Sequence, residues 1–563
     1  MPVGPTYPGV YIEEIPSQAR TIAGVSTSIT AFVGAAERGA SNTPIRIKNF
    51  SDFETEFGGL SRHSMLGYAV QQFFTNGGSD AVIVRVHNRA KAATLDLPAL
   101  GNPLALEASS PGSWGDQLEA LVDHDTRDPT DDKSFNLIIR EYSGNEVKSE
   151  ERYDNVSVDP DSPRHVTGVL ETRGALLRVR EGEPLPLERP SEGGPIDMYG
   201  DGDDGGQIGH DEIAHPDLEA SRKGLYALED ADPFNLLCIA PPARGVDTDP
   251  RTWAAAHAYC VKRRAILIVD PPATWLDAAT AEAGANNLSA LGLDDSPNAA
   301  LYFPRVRMAD PENDGRLETF TPAGAVAGLI ARTDAQHGVW KAPAGIEASL
   351  RGVRELTCNL TDEENARLNA FGVNCLREVH QGIVPWGART LAGADRLASQ
   401  WKYLSVRRLA LFIEESVHRG TRWGVFESND ESLWSQIRLN VGRFMHSLFR
   451  QGAFQGASPE QAYYVKCDGR TTSRADFERG FVNIEVGVAP LRPAEFVTIR
   501  ITHELMAPGK SHVFVLRVWP EPPQMEGAPA EFRGVLEHVP SRERRHFREL
   551  EELARIIPNY LEP

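Results

Sequence analysis

The stretch FNLLCIAPPARGVDTDPRTWAAAHAYCVKRRAILIVDPP, Phe234–Pro272, carries the fold. Its two ends, Phe234–Ala240 and Ala265–Asp270, are short apolar runs, and each stops at a Pro-Pro pair. Apolar runs bounded by breakers are how strands covered on both faces read. Between them, Trp253–Lys262 is patterned as a helix. Strand, helix and strand at this spacing predict a parallel sheet with a crossover helix.

The pattern recurs nearer the start. Ser28–Gly34 (SITAFVG) and Ala81–Val86 (AVIVRV) are apolar runs, and Ser64–Phe74 between them spaces Met65, Tyr68, Ala69 and Phe73 as a helix does. Asn76-Gly77-Gly78 closes that helix. Residues 91–215 change character: leucines, prolines and acids dominate, with short runs such as Phe135–Arg140 and Ala175–Arg180, which reads as a mostly-β insertion. Further on, Ser432–Arg450 is the clearest helix, with Trp434, Ile437, Val441, Phe444 and Leu448 on one stripe. Glu495–Ile501 is the clearest late strand, His512–Trp519 reads as another, and Ser541–Ile557 is expected to be a helix stopped by Pro558. At the other end, Pro2, Pro5, Pro8 and Pro16 deny residues 1–20 a helix, while Val10, Tyr11 and Ile12 favour a strand. Such an arm wants a sheet edge to join; composition leaves a floppy terminus equally open.

The fold class is therefore α/β, or α+β across several domains, since 563 residues exceed what one core organises. The chain holds 58 Lys and Arg against 79 Asp and Glu, a net charge of −21. That argues against a nucleic-acid backbone or an anionic membrane surface as partner. Cys238, Cys260, Cys358, Cys375 and Cys467 are odd in number and lack a C-x-x-C pair, so neither disulfides nor zinc is expected and a reducing compartment is the default. The proline-rich start lacks a basic n-region and is not expected to be a signal peptide. No run reaches the about 18 apolar residues of a membrane helix.

Several chemical motifs fail on inspection. Gly200-Asp201-Gly202-Asp203-Asp204-Gly205 spells G-x-G-x-x-G, but no apolar strand leads into it and its carboxylates repel a pyrophosphate. From Asp201 the loop partly fits a calcium site, with Asp203, Gly206, Ile208 and Glu212 at positions 3, 6, 8 and 12, but position 5 is Gly205. His210 and His215 are five apart, about 140° around a helix, and so do not share a metal face. Gly509-Lys510-Ser511 ends like a P-loop without the beginning of one. No G-x-S-x-G elbow exists, and a Ser/His/Asp triad is a geometry that letters do not show. Arg443 and Arg450 lie seven apart beside the apolar stripe of Ser432–Arg450, a basic stripe suited to an acidic partner or a solvated face.

A series of blocks resembles the contractile tail sheath family of phages, tailocins and phage-like contractile injection systems. They are Phe320–Gly328, Ala331–Asp334, Gly338–Ala344, Leu368-Asn369, Gly372–Asn374, Trp386–Leu391, Arg407–Leu409, Arg422–Asn429, Gly452–Gly456 and Ala489–Phe496. Tyr7–Glu14 resembles the family's N-terminal start, and the acidic loop sits where related sheaths carry a Gly-Gly-x-Asp-Gly turn. The resemblance implies a structural subunit, not an enzyme, without cofactor or metal. It implies stacked hexameric rings of this chain around an inner tube, with baseplate and terminator or cap proteins as partners, no nucleic acid and no direct membrane insertion. It implies contraction that drives the tube through a target envelope, and assembly in a bacterial cytoplasm as part of a virion tail or an injection particle. The expected layout is an N-terminal arm (1–20), an outer α/β domain called subtilisin-like (21–90 and 216–380), the mostly-β insertion (91–215), an inner C-terminal domain (381–509) and an extension or arm (510–563). Inter-subunit arm residues would be Tyr7, Val10, Tyr11, Ile12, Phe496, Val497, Ile499 and Ile501, and Arg443 and Arg450 would face the tube. Many related sheaths end soon after the Pro-Ala-Glu-Phe strand, so the last 50 or so residues depart from the pattern. Rival readings are an α/β hydrolase-like enzyme and a shell protein that never contracts.

Overall fold

The computed structural model describes residues 20–128, 130–293, 295–491, 497–504, 514–521, 531–538, 543–547 and 552. The chain opens with strands β1 (Thr30–Gly34) and β2 (Pro44–Ile47), helices α1 (Phe50–Phe57) and α2 (Leu66–Thr75), and strand β3 (Ala81–Arg85). β1 and β3 pair in parallel with Phe32 opposite Ile83, as the run, helix and run pattern predicts. The Asn49 carboxamide accepts the Asp52 amide at 2.8 Å and starts α1.

The insertion follows as β4 (Thr94–Leu97), β5 (Leu104–Ala108), β6 (Leu118–Asp123), β7 (Ser134–Ser143), β8 (Glu146–Ser157), α3 (Val166–Arg173), β9 (Leu177–Val179) and β10 (Gly193–Asp197). Two antiparallel sheets result, β4-β5-β9 and β10-β6-β7-β8, and they share a core that includes Leu106, Phe135, Leu137 and Leu170. β8 is an edge strand. Its exposed Glu146, Lys148, Glu150, Arg152 and Asp154 discourage another chain from pairing there.

Helices α4 (His210–Ile213) and α5 (Asp217–Ser221) lead to β11 (Leu236–Ile239), α6 (Pro250–Arg263), β12 (Ile266–Val269) and α7 (Ala278–Ala285). Then come β13 (Ala299–Phe303), β14 (Val306–Asp310), β15 (Arg316–Phe320), α8 (Ala323–His337), β16 (Glu355–Leu356), α9 (Asp362–Ala370), β17 (Val373–Val379) and β18 (Gly382–Pro385). The principal sheet runs β18-β17-β13-β12-β11-β1-β3-β2. Its six inner strands are parallel and its two outer strands antiparallel. Every residue of β11 and β12 is buried, because α6 and α7 cover one face and α2 and α8 the other. The helices α2 and α8 meet backbone to backbone. A Cβ at Gly324 would stand 2.1 Å from the Ala69 carbonyl, and one at Gly328 2.2 Å from that of Phe73, so only glycine permits the approach.

The C-terminal unit holds α10 (Leu404–Gly420), α11 (Glu431–Arg450), α12 (Pro459–Ala462), β19 (Tyr463–Lys466), α13 (Arg474–Glu478), β20 (Phe481–Val488) and β21 (Val497–Glu504). As its spacing predicts, α11 buries Ile437, Val441, Phe444 and Leu448. These residues form one core with Leu409 and Ile413 of α10 and Val482, Ile484 and Val486 of β20.

The last described strands are β22 (Phe514–Glu521), β23 (Glu531–His538) and β24 (Glu543–Phe547), one antiparallel sheet. Here the expected helix Ser541–Ile557 is corrected. Residues 543–547 are a strand paired with Gly534–His538 of β23. Glu537 stands opposite Arg544 and their side chains bond at 3.2 Å, while Phe547 is buried. The cross-strand partners outweigh local helix propensity.

Candidate functional site

The sequence blocks that carry the family resemblance meet in space, and their contacts join the domains. Asp334 of α8 and Arg408 of α10 form a two-pronged ion pair at 2.8 and 2.5 Å, with side chains only 4 % and 3 % exposed. The Thr27 hydroxyl donates to the same Asp334 carboxylate at 2.6 Å, and Arg408 donates to the Thr27 carbonyl at 2.9 Å. The segment before β1 is thereby tied to both helices. It is fastened again where Val25 donates its amide to the Ser416 hydroxyl at 3.1 Å. Paired, hydrogen-bonded charges are the form in which such groups tolerate burial.

Two more blocks interlock through Asn374. Its carboxamide accepts the Arg389 amide at 2.6 Å and donates to the Arg389 carbonyl at 2.8 Å, while Arg389 donates to the Asn369 carbonyl at 2.6 Å. Likewise Phe454 bridges Pro490, and the Gln455 amide donates to the Ala489 carbonyl at 2.9 Å.

In the C-terminal sheet β21 is an outer strand. It pairs with β20 in the register Val488–Val497, Val486–Ile499 and Ile484–Ile501. Among the described residues no strand pairs with its other edge, which is the geometry that accepts an added strand. Tyr7, Val10, Tyr11, Ile12 and Phe496 lie outside the described residues, as does Gly509-Lys510-Ser511. Arg443 and Arg450 are exposed on α11, and neither has an ion-pair partner among the described residues.

The acidic loop is a strapped turn. Asp201 accepts from the Thr94 amide and hydroxyl at 2.7 and 2.6 Å, Asp204 from those of Ser113 at 2.8 and 2.9 Å, and Asp203 from the Gly205 amide at 2.9 Å. The α4 helix ends at Ile213, before His215, so His210 and His215 do not ride on one helix. His210 instead faces the Thr252 hydroxyl at 3.2 Å.

A Ser–His pair does form, between Ser296 and His257, and the letters did not single it out. Both side chains are buried, and the Ser296 hydroxyl also accepts the Asn298 amide at 3.0 Å. The pair ties α6 to the segment leading into β13. The five cysteines are free, and burial pushes the Cys375 and Cys467 thiols up to about 12.

Asp270 carries no motif around it, although its place at the end of AILIVD is a usable signal. Burial pushes its carboxyl up to about 7, against the opposing effects of the Ala323 amide and Arg305. It caps α8 by accepting the Ala323 amide at 2.9 Å. Because the unfolded carboxyl ionises near 4, stability falls as pH rises from about 4 to about 7 and is flat above. Asp270→Asn keeps an acceptor without the charge. Urea titrations at pH 4.5 and 8 should show the variant gaining on wild type at the higher pH, by up to roughly 3 kcal/mol. An equal difference at both pH values refutes the assignment.

Comparison with known proteins accounts for this arrangement. The family model described as "Phage tail sheath protein central domain" matches residues 212–391, and that described as "Phage tail sheath C-terminal domain" matches residues 398–504. The chain belongs to the phage tail sheath family. A prophage major tail sheath protein of Pseudomonas aeruginosa is 27 % identical to this sheath chain over 290 residues, which are 50 % of the chain and 69 % of that protein. The tail sheath protein of Enterobacteria phage T4 is 24 % identical over 282 residues, 49 % of the chain and 38 % of that longer protein. Among solved structures, the sheath tail protein of Listeria innocua has a TM-score of 0.58 at 13 % identity, covering 87 % of this chain and 97 % of its own. The sheath complex of the extracellular contractile injection system PVC, in its contracted state, has a TM-score of 0.52 at 21 % identity, covering 89 % and 98 %. These likenesses extend the mixed α/β multidomain fold to nearly the whole sheath chain. Among the described residues no helix is long and apolar enough to cross a membrane.

Proposed function

We propose that this sheath chain polymerises as stacked hexameric rings around an inner tube and contracts to drive that tube through a target envelope. The observation that carries the reading is the edge of β21 that no strand among the described residues pairs with, in a chain matched by both sheath domain models. A strand donated by a neighbouring copy fits that edge, and repetition of the exchange links rings into a continuous mesh. Tyr7, Val10, Tyr11 and Ile12 supply the donated strand, and Phe496, Val497, Ile499 and Ile501 belong to the receiving side. In this reading residues 21–90 and 216–380 form a subtilisin-like outer domain, 91–215 an insertion upon it, 381–509 the inner domain and 510–563 an additional arm.

Work comes from repacking between copies rather than from a bound nucleotide. The extended sheath is metastable, a baseplate releases the first ring, and each ring then repacks on the last. The role is structural, without catalysis, within a virion tail or an injection particle assembled in the bacterial cytoplasm. Negative-stain microscopy of the purified chain with its tube protein tests this. Ridged hollow cylinders of two diameters are expected. A single diameter would indicate a static shell, and monomers alone would refute polymerisation.

Arg443 and Arg450 face the tube in this reading. Both are exposed and lack ion partners among the described residues, so reversing them leaves the subunit fold intact. The variant Arg443→Glu/Arg450→Glu is expected to loosen the tube-bound extended state, giving contracted or tube-free particles. Unchanged extended assembly in low salt, where such contacts are strongest, removes the assignment.

A further inference from the structure

A cavity of about 150 Å³ lies where the principal sheet meets α10. Arg263 and Arg264 at the end of α6, Arg419 near the end of α10 and Arg422 just beyond it line the wall, with Asp232 and Glu415 as carboxylates. Glu415 is shared between Arg264 at 3.1 Å and Arg419 at 2.6 Å, and Arg419 also meets Asp232. Arg263 donates to the Leu228 and Ala231 carbonyls at 2.7 and 2.8 Å and to the Tyr259 hydroxyl at 2.6 Å, and its longer ion pairs reach Glu229 at 3.7 Å and Asp232 at 3.9 Å. Arg422 is exposed and has no carboxylate partner among the described residues. Arg264 also reaches Glu414 at 3.7 Å, so the cation on this wall left without a carboxylate among the described residues is Arg422, and His418 beside it registers the surrounding guanidinium groups. Burial first, then Arg264, Arg422 and Arg419, hold its pKa below the usual value against Glu415.

The complementary charge is concentrated elsewhere. Residues 91–220 contain 29 Asp and Glu against 11 Lys and Arg, so this stretch holds a net −18 of the whole chain's −21. Much of it is tied into ion pairs across β6, β7 and β8. The connection from β9 to β10 differs: Glu181, Glu183 and Glu192 are exposed there and have no ion-pair partner among the described residues. A cavity of this size holds one or two carboxylate heads with water, since a water occupies about 30 Å³.

We propose that the acidic loop 181–192 of one copy docks into the Arg264, Arg419 and Arg422 cavity of a second copy. Two different patches meet in such a contact, so it is heterologous and propagates as an open helix rather than closing as a two-fold dimer. The inference rests on the reading of this chain as a polymerising sheath subunit, and it names one contact of that polymer. A partly exposed charge contact strengthens at low salt and sets the register of docking.

The test is a charge exchange in the full-length chain. Arg422→Glu reverses an exposed cation with no carboxylate partner among the described residues, and Glu181→Lys/Glu183→Lys/Glu192→Lys reverses the loop. Each is expected to unfold at the wild-type midpoint and to cut the polymer pelleted at 50 mM salt by about tenfold. Together they should restore it to within about twofold of wild type. Wild-type polymer should also decline as salt rises to 500 mM. Equal pelleting of all variants, or a combination no better than either part, overturns the proposal while leaving the sheath reading standing. Rescue of Arg422→Glu by Glu13→Lys/Glu14→Lys assigns the cavity to the N-terminal segment and equally overturns it. No polymer from wild type at any salt would overturn the sheath reading itself.

Discussion

Arg408→Ala is expected to be among the most destabilising single substitutions in the chain. Removing the guanidinium leaves the Asp334 carboxylate, 4 % exposed, with the Thr27 hydroxyl as its remaining donor among the described residues. Stranding one member of a buried pair costs about 3–5 kcal/mol, a large share of the roughly 5–15 kcal/mol that holds a domain folded. The loss is regional as well as large, because the pair links α8, α10 and the segment before β1. Urea unfolding of the unassembled subunit should show a lower midpoint. It should also show earlier exposure of Trp401 and Trp423, which pack in or against the C-terminal core. Replacing both partners, as Arg408→Met/Asp334→Leu, removes the stranded charge and should recover much of the loss. A cost under about 1 kcal/mol for Arg408→Ala would show that the pair is not what holds the domains together.

Deleting residues 1–20 is expected to act on assembly, not on folding. The described contacts of the following segment remain: Ile22 stays in the C-terminal core, and Val25 and Thr27 keep their bonds to Ser416, Asp334 and Arg408. The subunit should keep its circular dichroism and nearly its unfolding midpoint. What should be lost is the strand proposed to join the neighbour's sheet. Each main-chain bond is worth only about 0.5–1.5 kcal/mol net. A strand of several such bonds, repeated at every subunit contact, nonetheless decides whether a long polymer persists. Microscopy should find subunits and short rings instead of long sheaths. Normal-length contractile particles from this truncation would refute the arm's role.

The alternation of buried strands and helices was legible because the strands at 30–34, 81–85, 236–239 and 266–269 are continuous apolar runs stopped by turn residues. The stripe of α11 was legible for the same reason, a period that matches the helix. The strand at 543–547 was not. The letters ERRHF carry no alternation, and the pairing with β23 that makes them a strand lies outside the segment. Ser296 and His257 escaped notice because they are 39 positions apart and any long chain offers such letters.

Local chemistry thus accounts for the elements and their class. An apolar run stopped by prolines has few alternatives to a buried strand, and an apolar stripe at helical spacing, as in α11, has few alternatives to a packed helix face. The pairings belong to a different level. Whether Asp334 meets Arg408, whether Asn374 clasps Arg389, and which cations are left over around one cavity depend on helices and loops brought together from 74, 15 and more than 150 positions apart. Long-range contacts of that kind are set by the packing of whole layers, because a single side chain has too little energy to choose its partner before the core forms.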